Sequence, residues 1–225
     1  MKKSDKRVEN KPRKRKNIRL LFIFLILIVL AALAVFYLPN MIKKKETPKV
    51  KVVDEIESFS YTINENDTKL FKTTFGELKK VLTAKEIDNE KYAELLSKLF
   101  VIDFFSLGNK TSKNDIGGVQ FVYNSYRSTF VDFAREGIYK QVNNNVDRKS
   151  DQKLPLVDSV DVVSIKKVTP ASIFASEPLC NDNEESAYEV VVNWTYENSD
   201  NFQTSSTLTI VKDGSNLSVA KMTDR

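Results

Sequence analysis

Tyr188–Glu197, YEVVVNWTYE, decides the fold. Tyr188, Val190, Val192, Trp194 and Tyr196 alternate without a break against Glu189, Val191, Asn193, Thr195 and Glu197. A period of two is the mark of a strand with one buried face. Upstream, Val157–Val168 is rich in β-branched residues and reads as a second strand. Downstream, Phe202–Val211 returns, with Leu208 and Ile210 expected inward and Thr207 and Thr209 outward. Asp213-Gly214 is then expected to turn a hairpin into Leu217–Met222.

Before Val157 the period is 3.6. Phe71, Phe75, Leu78 and Leu82 recur at helical spacing after Asp67 or Thr68, either of which suits a cap. Thr83 and Glu86 have capping-box spacing. Asp88 is expected to cap the clearest helix, over 89–106. Tyr92, Leu95, Leu96, Leu99, Phe100 and Ile102 share one face of it, and Lys91, Glu94, Ser97 and Lys98 lie opposite. A third helix begins at Asn124 or Ser125. Its expected buried stripe is Tyr126, Phe130, Phe133/Ala134, Gly137/Ile138 and Gln141/Val142. Ser58–Ile63 and Val119–Tyr123 read as short strands. Helices first and an antiparallel meander after them give an α+β fold, with helices packed on one face of a curved antiparallel sheet.

The N-terminal end has another character. Leu20–Leu38, LLFIFLILIVLAALAVFYL, carries no charge and has the length of a transmembrane helix. Residues 1–19 hold ten Lys and Arg against Asp5 and Glu9. The rest of the chain has 25 Lys and Arg against 28 Asp and Glu, so the net charge of +5 belongs to the tail. That asymmetry predicts a cytoplasmic N-terminus and an extracytoplasmic C-terminal domain. A cleaved signal peptide ending at Ala32-Leu33-Ala34 is the rival reading; the apolar run through Leu38 favours an uncleaved anchor. The expected division is a basic tail at 1–19, a span at 20–38, a linker at 39–57 and a folded domain at 58–225.

Composition excludes several chemistries. With no histidine, His-based triads, imidazole relays and His metal sites are ruled out. With one cysteine, Cys180, there is no intrachain disulfide. Asp182, Glu184 and Glu185 lack the loop pattern of an EF-hand. No metal, cofactor or nucleic-acid partner is expected. The expected partners are the lipid bilayer, through residues 20–38, and other envelope proteins, with self-association among the options.

Asp103 is the polar exception on the apolar face of the 89–106 helix. A carboxylate there must find partners or shift its pKa. Either it accepts hydrogen bonds from backbone N–H groups of the following loop, or it lies in a ligand pocket. That loop, Ser106–Gly118, contains Asp115, expected to be a turn residue, and Gly117-Gly118, expected to supply an unusual backbone conformation or a close approach.

The order of elements resembles the nuclear transport factor 2-like cone. Joined to a short tail and one N-terminal span, it resembles the TcpC-type components of bacterial conjugation and type IV secretion machines, which carry two such domains where this chain has room for one. The resemblance implies a pocket between sheet and helices, in which Asp103 with Tyr92 or Tyr126 would form an acid–base pair. The anchor, the compact outer domain and the lack of a catalytic constellation in the sequence point to a non-catalytic assembly or scaffold role in an envelope or secretion complex. The alternative is an extracytoplasmic small-ligand binding or sensing domain.

Overall fold

The computed structural model describes residues 51–144, 151–169, 187–197 and 202–224. The basic tail, the apolar stretch at 20–38 and residues 39–50 of the expected linker lie outside them. So do the 170–185 connection with Cys180 and the turn at 198–201. Among the described residues no helix is long and apolar enough to cross a membrane. Val50–Arg225 forms one compact unit.

The unit is α+β with a curved antiparallel sheet. Strands β1 (Val52–Ile56) and β2 (Tyr61–Asn64) pair as a small antiparallel ribbon. Helices α1 (Lys69–Leu82) and α2 (Asn89–Phe105) follow, and then α3 (Arg127–Glu136). Strands β3 (Val157–Val168), β4 (Ala187–Tyr196), β5 (Ser205–Asp213) and β6 (Asn216–Asp224) form a meander in that order. Bulges interrupt the register of β3 with β4 at two places and that of β5 with β6 at one, and bulges bend a sheet.

Helix α2 is the axis of the core. Asp88 starts it by accepting from the N–H groups of Glu90 and Lys91. It packs against α1 and against all four strands of the larger sheet. Leu95, Leu96, Leu99, Phe100, Val101 and Ile102 are all at most 1% exposed, so its C-terminal half is buried on nearly every side. Tyr188, Val190, Val192 and Trp194 meet it from β4, all buried. The Phe105 and Trp194 rings stack 4.6 Å apart.

Several expectations are corrected. Residues 52–56 form β1 rather than linker; β1 has no alternation to reveal it and is held by pairing with β2. The expected strand at Ser58–Ile63 begins only at Tyr61, because Glu57–Phe59 is a 3-10 turn closed by Ser60 in the left-handed region, φ 56°. Thr68, not Asp67, caps α1. Thr83 makes no capping box; its hydroxyl donates back to the Lys79 carbonyl at the C-terminus of α1. Ser97 is buried on the face expected to be polar, its hydroxyl spent on the Ala93 carbonyl. Val119–Phe121 is a 3-10 turn, and only Val122 makes a strand-like bridge, to Val219.

The third helix is shorter and less buried than its pattern suggests. Asn124–Tyr126 and Ile138–Gln141 are 3-10 turns flanking α3. Ala134, Tyr139 and Val142 are buried, whereas Phe133 is 76% exposed. The chain turns at Gly137, so the stripe splits into two faces. Thr209 is only 3% exposed and its neighbour Val211 fully buried, so the second face of β5 is covered as well.

Candidate functional site

The C-terminal turn of α2 collects most of the polar residues that the sequence singles out. Asp103 sits one residue before Phe104 and Phe105, so burial of those rings carries its carboxylate inward. Its two oxygens are both engaged. Oδ1 accepts from Lys110 Nζ at 2.5 Å and Oδ2 from the Gly118 N–H at 2.7 Å. The ion pair is enclosed, with side-chain exposures of 6% for Lys110 and 15% for Asp103. Burial lowers the Lys110 pKa, but the charge of Asp103, reinforced by Tyr139 and Asp115, outweighs it and holds the ammonium above the ordinary lysine range.

Tyr139 completes the fastening from the other side. Its hydroxyl donates to the Phe104 carbonyl at 2.8 Å and accepts from the Gly117 N–H at 2.9 Å. Phe104 lies in the last turn of α2, where carbonyls lack intrahelical partners, so the bond satisfies a helix end. Burial pushes the Tyr139 hydroxyl well above the usual tyrosine range, which keeps it neutral and able to donate.

The two glycines let the loop lie flat on the helix. A Cβ on Gly117 would overlap the Asp103 carbonyl and stand 2.6 Å from its Oδ1. Gly118 has φ +77°, and a Cβ there would press on the Phe100 ring at 3.0 Å. Both expectations for the pair, unusual conformation and close approach, are met, one by each residue. Asp115 accepts from the Thr111 N–H at 2.8 Å and its hydroxyl at 3.0 Å. It is a turn residue, as the sequence suggests.

Beside this cluster lies a polar cleft of about 80 Å³. Asp103, Lys110, Asp115 and Gly117 line it, together with Asp67 and Asn109, which the sequence reading missed. Burial raises the Asp67 pKa; the Asn64 N–H opposes that shift and the charge of Asp103 adds to it. Asn109 Nδ2 donates to the Asn66 carbonyl at 3.3 Å, while its Oδ1 is buried without a partner. Among the described residues no group of three or more Cys, Asp or Glu is placed to hold a metal ion. Here the Lys110 ammonium is the cation beside the acids.

Tyr92 and Tyr126 do not join Asp103. The Tyr92 hydroxyl lies 2.6 Å from that of Tyr61 and accepts from the Leu217 N–H at 3.1 Å. Tyr126 is half-buried, its ring 5.5 Å from that of Tyr123. Of the expected pocket residues, only Asp103 lines the cleft. Its partner Lys110, and Tyr139, which fastens the neighbouring Phe104 carbonyl and Gly117 N–H, were not legible: a lysine in a polar loop and a tyrosine after a helix carry no mark of folding back. No protein-family model, curated protein or solved structure matches the chain.

Proposed function

We propose that the protein is a single-pass membrane protein whose outer domain, a nuclear transport factor 2-like cone, binds other proteins without catalysis. Residues 20–38 anchor it, the basic tail faces the cytoplasm, and the domain serves as an assembly or scaffold component of a bacterial envelope complex. One observation carries this reading: the polar groups that could run chemistry are spent on fastening the fold. Both oxygens of Asp103 are engaged, one by Lys110 and one by the Gly118 N–H. Tyr92 is tied to Tyr61 and Leu217, and Tyr139 to Phe104 and Gly117. A catalytic acid or base needs a free lone pair or proton within reach of substrate.

The rival, a small-ligand domain using a pocket near Asp103, has less support. The cleft that Asp103 lines is about 80 Å³, below the about 300–1,000 Å³ of ligand pockets, and the larger open groove beside it is lined by neither Asp103 nor the expected tyrosines. The aromatic interior around α2 is filled: Phe105 packs on Trp194 of β4, and Phe100 and Phe104 pack on Phe130 of α3.

Affinity capture of the full-length protein from crosslinked native membranes, read by mass spectrometry, tests the reading. Enrichment of a defined set of envelope proteins is expected. Recovery of the bait alone would overturn it.

A further inference from the structure

A second depression adjoins the polar cleft. It is an open groove of about 570 Å³ between the first turn of α1 and the start of β3. Leu70, Leu156 and Val157 make an apolar floor. Asp158 and Glu197 stand exposed on its rim, and neither forms an ion pair among the described residues. Lys69 is the cation of its lining.

Groove and cleft share Asn66 and Asn109, so they form one continuous surface. Asp67, Asp103 and Asp115 from the cleft add to Asp158 and Glu197, against Lys69 and Lys110. Lys110 is already committed to Asp103. The surface therefore has an uncompensated negative charge beside an apolar floor.

We propose that this groove docks a short segment of a partner protein in which a lysine or arginine neighbours an apolar side chain. The apolar side chain lies on Leu70 and Leu156, and the cation meets Asp158 and Glu197. This deepens the protein-binding reading and rests on it. The contact area is small, so the complex is weak and exchanging rather than permanent.

The test uses the full-length protein in nanodiscs of zwitterionic lipid. It is titrated with a short fluorescent peptide alternating lysine and leucine, and with one alternating serine and leucine. Anisotropy is expected to rise saturably with the lysine peptide and to respond at least about tenfold more weakly to the serine peptide. Asp158→Lys with Glu197→Lys is expected to weaken the lysine peptide about tenfold or more. Glu136→Lys, an exposed change on α3, should leave it unchanged. Thermal melts of both variants establish that the fold is kept.

Equal weakening by Glu136→Lys would reduce the effect to net charge and overturn the proposal. Equal binding of the two peptides would identify an apolar occupant and overturn it too. Capture from crosslinked membranes separates the two levels. A partner held equally by the Asp158→Lys/Glu197→Lys variant removes the groove assignment and leaves the protein-binding reading standing. No partner on the wild-type chain removes that reading itself.

Discussion

The hydroxyls of Tyr61 and Tyr92 lie 2.6 Å apart and close a ring through Leu217. Tyr61 donates to the Leu217 carbonyl at 3.0 Å, and the Leu217 N–H donates to the Tyr92 hydroxyl at 3.1 Å. The Tyr92 proton is thereby assigned to the Tyr61 oxygen. One closed circuit joins β2, α2 and β6, and its widest link, from Tyr61 to Leu217, spans 156 residues of sequence.

Breaking that circuit should cost stability. Tyr92→Phe leaves the Leu217 N–H and the Tyr61 oxygen unserved in a buried place, and Tyr61→Phe leaves the Leu217 carbonyl. Each is expected to lose about 1–3 kcal/mol in denaturant unfolding. The double variant should lose less than the sum, since the two share partners. Full additivity would show that the hydroxyls act independently.

The Asp103–Lys110 pair gives a larger effect. Lys110→Met leaves an enclosed carboxylate with only the Gly118 N–H, and a loss of about 3–5 kcal/mol is expected. Because the Lys110 pKa is raised in the fold, its contribution is complete below the unfolded lysine pKa. It fades only as pH climbs through the folded value. A melting curve insensitive to Lys110→Met near neutral pH would refute the fastening role.

Asp67 works in the opposite direction. Its folded pKa is raised, mainly by burial, so the ionised group opposes folding above that pKa. The penalty disappears as pH falls towards the unfolded value. Asp67→Asn keeps an oxygen for the Asn64 N–H and removes the charge. The variant should be more stable than wild type near pH 7, with the gap closing on acidification. A gap that widens instead would reverse the sign of the assignment.

Gly117→Ala and Gly118→Ala test how the loop is seated. Gly117→Ala meets the Asp103 backbone, which cannot swing aside, while Gly118→Ala adds strain at φ +77° and contact with Phe100. Both should raise amide exchange across residues 110–121 and lower the melting temperature. The greater loss is expected at Gly117, since backbone yields less than a ring.

How far the sequence reached follows from which signals are local. Helix α2 was legible because its cap, its period and its odd carboxylate all lie within one stretch. Strands β4 and β5 were legible from alternation, β3 from its β-branched residues and β6 from the Asp213-Gly214 turn before it. Phe133 was misplaced because a stripe continues on paper through Gly137, where the chain turns. Val119–Tyr123 read as a strand because so short a stretch, apolar but for Gln120, fits either state; Gly118 in the left-handed region starts a turn over Val119–Phe121 instead. The site was half legible. Asp103 announced itself as a polar residue on an apolar face, but its partners, the Lys110 ammonium and the Gly118 N–H, meet it only through loop closure.

The mass of the complex drawn directly from native membranes tests the central claim most directly. Full-length protein extracted into a polymer belt, without detergent, is weighed by native mass spectrometry. The account predicts species in which the chain is bound to at least one other protein or to a second copy of itself. A spectrum holding only single copies of the chain with lipid would contradict it.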